Sequence, residues 1–283
     1  MGTGSFLDIL YEKRGGIAIV TINRPHVLNA FRRQTVMELI SAFENAWDDP
    51  GVGAVILTGS GDRAFCVGGD FKEWGPGGYA GASWVDVGLP VVKLHLTIRN
   101  IPKPVIAAVN GYAIGGGNVL QVVCDLAIAS EKAIFGQVGP RVGSFDAGFG
   151  SAYLARLVGE RKAREIWFLC RRYSAKEALE MGLVNAVVPH DQLMTEALKW
   201  ADEILSLSPT ALKMLKASFN ADTDHILGLT NLAMGALGLY YQSPEALEGH
   251  DALVGKRQPD FRKFRRGYTG ESDGYGPQAD GRS

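Results

Sequence analysis

Cysteine is scarce in this sequence: Cys66, Cys124 and Cys170 are the only three among 283 residues, odd in number and widely spaced. That argues against a disulfide framework and a metal knuckle and fits a reducing, cytoplasmic setting. Net charge is nearly absent as well. With 29 basic and 30 acidic residues, nothing draws the chain to nucleic acid or an anionic membrane in general, so an anionic ligand has to be held by local basic groups. No apolar run approaches the length that spans a bilayer, and Met1 to Phe6 lacks the pattern of a secretory signal, so the expectation is a soluble, unprocessed protein without a membrane partner. The five histidines have no ligand-like spacing and no Walker A sequence is present, so no metal is expected. Gly270 to Gly274 formally matches G-x-S-x-G, but no buried strand precedes it and the surroundings are polar.

What remains is the composition of an ordinary globular protein, 46% hydrophobic and 21% charged, long enough for one large domain with an appendage. Leu7 to Lys13 and Ile17 to Ile22 read as a hairpin turning at Gly15-Gly16. Apolar residues from Gln34 to Trp47 recur at helical spacing. Val55 to Leu57 and Pro104 to Val109 are short apolar runs, as expected of strands covered on both faces. Each run leads into a glycine-rich segment, Gly59 to Gly69 and Gly111 to Gly117, which predicts an α/β layout with ligands at the carboxyl ends of strands. Helical patterns follow at Ala175 to Met181, Leu193 to Leu205, Pro209 to Asn220 and His225 to Gln242. The division expected is a core over 1–205, a helical region over 206–266 and a disordered tail over 267–283.

Glycines in Ala64 to Asp70 and Gly115 to Asn118 let a ligand approach the backbone and let successive N–H groups point outward. Either segment alone is equally well a tight strand-to-helix turn. Together with Ile22 to Pro25, Asn29 to Phe31, Pro102 to Val105, Cys124 to Leu126 and Phe135 to Gln137, they resemble the crotonase (enoyl-CoA hydratase/isomerase) superfamily from about Phe6 to Phe264. The resemblance implies a spiral of ββα repeats with a C-terminal helical region that trimerises, trimers pairing into a homo-hexamer. It implies an acyl-coenzyme A substrate and an oxyanion hole formed by the N–H groups of Gly69 and Gly116. By the same resemblance Arg32 and Lys256 meet the phosphate and adenosine end of coenzyme A, with Ala64, Val67 and Asp70 along its path and Lys72 nearby.

The departures are informative. Where hydratases of the superfamily carry two water-handling glutamates, this sequence has Val119 and Gly139, neither of which moves a proton. The run Ile134 to Asp146, with Ala163 to Trp167 and Lys256 to Phe261, resembles the branch that makes or breaks carbon–carbon bonds beside the thioester. That branch includes 2-ketocyclohexanecarboxyl-CoA hydrolases, which open a ring with water, and 1,4-dihydroxy-2-naphthoyl-CoA synthases, which close one. Val87 to Pro90, Gln137 to Pro140, Arg172 to Ser174 and Val188 to Asp191 favour the hydrolases. Val138 stands where synthases have a threonine beside a bicarbonate, so proton chemistry is expected to move to Asp146, although a bicarbonate or other small anion near Gly139 stays open. No separate cofactor is implied. Ser144 and Asp146, two apart in a loop, would present both side chains to one side if extended; a loop-stabilising turn is the alternative. Tyr79 matches a tyrosine on a mobile active-site loop, and Tyr241 one contributed by a neighbouring subunit. Within the fold, a non-catalytic acyl-CoA-binding protein is the remaining possibility.

Overall fold

The computed structural model describes residues 6–75, 78–83 and 87–265, so the tail expected over 267–283 lies outside the described residues. The chain opens with the hairpin of β1 (Ile9–Arg14) and β2 (Ile17–Ile22), paired antiparallel around Gly15 and Gly16, both at positive φ. Then come α1 (Arg33–Asp48), β3 (Ala54–Gly59), β4 (Ala64–Cys66), the short β5 (Trp74–Gly75) and β6 (Gly78–Tyr79), and α2 (Val91–Asn100). The middle of the chain carries β7 (Val105–Val109), β8 (Tyr112–Ile114), α3 (Gly116–Val122), β9 (Leu126–Ser130) and β10 (Ile134–Gly136). After an irregular stretch follow α4 (Ala152–Val158), α5 (Glu160–Leu169), β11 (Arg172–Ser174), α6 (Ala175–Glu180), β12 (Ala186–Val188) and α7 (Leu193–Leu205). Three more helices end the described chain: α8 (Pro209–Ala221), α9 (Ile226–Tyr240) and α10 (Pro244–Val254).

The strands alternate between two sheets. The first of each pair β3/β4, β7/β8 and β9/β10 joins a six-stranded sheet ordered β1-β2-β3-β7-β9-β12, and the second joins a four-stranded sheet ordered β11-β10-β8-β4. Each repeat therefore advances both sheets by one strand, which is the expected ββα spiral. Every residue of β3 and β7 is buried, and their period of two explains why. Val55, Leu57, Val105, Ala107 and Val109 face the larger core with α1, while Ala54, Ile56, Ile106 and Ala108 face Leu193, Ala197 and Ala201 of α7.

Two glycines let the last helices press on the stretch between β10 and α4. A Cβ on Gly148 would collide with Thr230 of α9, and one on Gly143 with the backbone of Ala246 in α10. Both glycines have positive φ. Ser243 Oγ accepts the Ala246 N–H and Pro244 occupies the first turn, so the chain starts α10 immediately after Tyr241 and Gln242. Among the described residues no helix is long and apolar enough to cross a membrane.

Candidate active site

Phe31 docks as an extra strand residue on the loop after β4: its N–H donates to Gly68 O at 2.8 Å, and its carbonyl accepts the Asp70 N–H at 2.8 Å. In a parallel bridge the residue between these two partners points its own N–H away. Gly69 is that residue, and its N–H has no acceptor among the described residues. The second loop supplies Gly116, first residue of α3, whose N–H has no acceptor inside its helix. The turns are held together by the parallel pairing of β4 and β8. A Cβ on Gly68 would sit 3.0 Å from Gly116 N, and one on Gly117 would collide with the Cys66 carbonyl. Only residues without side chains let these backbones come so close. Two free N–H groups on adjacent turns can bind one oxyanion.

Both open onto a pocket of about 750 Å³, mouth included, lined also by Phe31, Val67, Tyr79, Leu89, Val138, Ser144, Asp146, Trp167, Leu237 and Tyr241. Ser144 Oγ lies 2.9 Å from the Tyr241 hydroxyl. Tyr241 is buried, its ring centroid 4.7 Å from that of Trp74, and burial pushes its phenol up to about 12. The resemblance implies a tyrosine from a neighbouring subunit, whereas here Tyr241 reaches the pocket of its own chain because α9 packs against Gly148. Tyr79 is raised well above the usual phenol range by burial first, then by Tyr241 and Asp70. Its hydroxyl occupies the space a Cβ on Gly69 would need, so it lies against the oxyanion loop. Both tyrosines are neutral hydroxyls at physiological pH.

Asp146 keeps a partly exposed face within dense surroundings. That enclosure pushes its carboxyl up to about 7, against the pull of the Gly150 backbone N–H. A carboxyl poised there exchanges protons readily at neutral pH. The two positions where hydratases carry glutamates have no such group. Val119 is fully buried in α3 and does not line the pocket, and a Cβ on Gly139 would meet Ser144 O at 2.7 Å and the Trp167 ring at 3.0 Å. Any small anion near Gly139 therefore has no space on the Cβ side of that residue.

The coenzyme A residues fare differently. Val67 lines the pocket, but Arg32, Ala64, Asp70 and Lys256 do not. Arg32 holds Asp8 through Nε at 2.8 Å and Nη2 at 3.0 Å and lies 3.5 Å from Glu73. Asp70 is buried against Arg24 at 3.0 Å, and its carboxylate also accepts the Lys72 N–H. The Ala64 carbonyl accepts Asn29 Nδ2 at 2.7 Å. These contacts tie the N-terminal strands to the oxyanion loop. Lys256 is exposed beyond α10. His95, Gln137 and Trp167 also line the pocket, the last two within the motifs that carry the resemblance but with no role expected of their side chains. His95 is buried on α2, which pushes its imidazole down to about 4, and its ring centroid stands 6.0 Å from that of Phe149. Trp167 Nε1 donates to Gly150 O at 2.6 Å, bracing the turn beside Asp146.

A family model described as enoyl-CoA hydratase/isomerase matches residues 12–264. Among solved structures, an enoyl-CoA hydratase from Mycobacterium avium subsp. paratuberculosis K-10 is 31% identical with a TM-score of 0.79, over 91% of this chain and 99% of that one. A monofunctional enoyl CoA isomerase from M. smegmatis is 32% identical with a TM-score of 0.66, over 77% of this chain and 94% of that one. An enoyl-CoA hydratase/isomerase from Pseudoalteromonas atlantica T6c is 27% identical with a TM-score of 0.78, over 90% of this chain and all of that one.

Proposed function

Because the chain belongs to the enoyl-CoA hydratase/isomerase family, we propose that it binds a cyclic β-ketoacyl-CoA and opens its ring with water. The observation that carries this reading is Asp146, a proton-exchanging carboxyl in the pocket lining, while the two positions where hydratases carry glutamates are Gly139, in the lining, and Val119, buried outside it. The Asp146 carboxylate takes a proton from water as the water oxygen bonds to the ring ketone carbon. The Ser144 and Tyr241 hydroxyls, already 2.9 Å apart, steady the oxygens of the tetrahedral adduct. The adduct collapses, the bond between the former ketone carbon and the α-carbon breaks, and its electron pair passes into the thioester as an enolate. The Gly69 and Gly116 N–H groups hold that enolate oxygen. The proton taken up by Asp146 is returned to the α-carbon, which yields an open-chain ω-carboxyacyl-CoA with one water consumed and the thioester intact.

The apolar lining from Val87, Leu89, Val142 and Leu237 suits a carbocyclic acyl group. Assembly as a dimer of trimers belongs to the same proposal and accords with the exposure of Phe168, Phe219 and Leu232. The test is mass spectrometry of separate incubations with 2-oxocyclohexane-carboxyl-CoA, o-succinylbenzoyl-CoA and crotonyl-CoA. The first should gain the mass of one water without losing coenzyme A, and the other two should stay unchanged. Loss of water from the second would make the enzyme a ring-closing synthase, and gain of water by the third a hydratase.

A further inference from the structure

Gln137 follows β10 directly and contributes to the pocket wall, yet it is fully buried. Neither its side-chain oxygen nor its side-chain nitrogen has a hydrogen-bond partner among the described residues. A carboxamide can give two hydrogen bonds and accept two, and the nearby Val67, Val138 and Val142 in the lining offer nothing in return. Its position relative to the oxyanion hole is fixed by the backbone. The carbonyl of Gly136, the preceding residue, accepts the Gly115 N–H at 2.9 Å, and Gly115 precedes the donor Gly116. Gln137 and the donor Gly116 therefore follow the two residues joined by one backbone hydrogen bond, and both line the same pocket.

We propose that Gln137 is a specificity-determining residue, selecting acyl-CoAs that carry an oxygen on the β-carbon by hydrogen-bonding that oxygen through its side-chain amide. A purely hydrocarbon acyl group leaves the buried amide unmatched, and sites built to hydrogen-bond a substrate oxygen discriminate strongly against analogues that lack it. The inference rests on reading the pocket as an acyl-CoA site. It does not require ring cleavage.

The test uses two ligands that ring-opening chemistry cannot consume, 2-hydroxycyclohexane-carboxyl-CoA and cyclohexane-carboxyl-CoA, titrated calorimetrically into the full-length protein. Wild type should bind the hydroxylated ester about tenfold or more tightly than the plain one. Gln137→Met, of similar length but apolar, should bring the two affinities within about twofold while still binding the plain ester. Gln137→Glu, which keeps an acceptor and a donor when protonated, should retain part of the preference. Equal affinities in wild type, or an undiminished preference in folded Gln137→Met, would overturn the assignment. A crystal structure of the wild-type complex decides the point without substitution: the ring oxygen lies within about 3.5 Å of the Gln137 amide, or it does not and the proposal fails. Because neither ligand turns over, failure here is separate from failure of the ring-opening reading. That reading would fall if 2-oxocyclohexane-carboxyl-CoA stayed intact.

Discussion

One wall of the pocket is backbone and the other is side chain. The Gly69 and Gly116 amides stand on turns leaving two adjacent parallel strands, locked by the Phe31 bridge and by Gly68 and Gly117, where a Cβ would press on neighbouring backbone. Ser144, Asp146 and Tyr241 come from an irregular loop and the end of α9, held by packing of the C-terminal helices on Gly143 and Gly148. The backbone wall stabilises an enolate whatever is attached to it, whereas the side-chain wall decides which proton moves and therefore which reaction the enolate serves.

The largest effect expected from breaking this division is on the side-chain wall. Asp146→Asn preserves size but cannot take a proton, so kcat should fall on the order of 10²- to 10⁴-fold with little change in substrate affinity. A change of less than about threefold in single-turnover rate would reduce Asp146 to a loop-stabilising residue. Next comes the backbone wall: Gly116→Pro removes one N–H at a helix position that tolerates proline and should cost about 10² to 10³ in kcat. The Phe31 ring would have to yield, since a Cβ there lies 2.8 Å from it. Circular dichroism and binding of a CoA ester are therefore read alongside the rate.

The two walls were not equally legible in the sequence, for physical reasons. The glycine turns announce themselves because a close approach or positive φ permits few other residues, and the all-buried β3 and β7 because strands covered on both faces must be apolar throughout. Helix α7 runs from Leu193 to Leu205 as its periodicity predicts. The helix at Pro244–Val254 has no expectation of its own beyond the helical region, although Ser243-Pro244 is a start signal. Long-range pairing is what local patterns omit. Nothing near Arg32 in sequence reveals that Asp8 of the N-terminal segment takes up its guanidinium, and nothing near Tyr241 reveals whose pocket it enters.

Asp146 also sharpens the comparison through stability. Its folded carboxyl titrates near 7 against an ordinary value near 4. Between those values the folded state holds a proton that the unfolded chain has released, so wild-type stability declines as pH rises from about 4 to about 7 and then levels off. Asparagine carries no such cost. Asp146→Asn should match wild type near pH 4 and exceed it above pH 7 by a few kcal/mol at most, discounted for the exposed face of Asp146. Melting temperatures with equal pH dependence in both proteins would contradict the raised carboxyl. The smallest effect expected is that of Tyr241→Phe. It removes one hydroxyl hydrogen bond to Ser144 and should lower kcat about five- to tenfold.

The central claim is that water enters at the ring ketone while the thioester departs as an enolate, and isotope tracing reads that event directly. When 2-oxocyclohexane-carboxyl-CoA is turned over in ¹⁸O-water, the account predicts one solvent oxygen in the new carboxylate, none in the thioester carbonyl and no free coenzyme A. Label accompanied by coenzyme A release would mean that water attacks the thioester instead, and an unlabelled, unopened substrate would mean that the pocket does not perform this reaction.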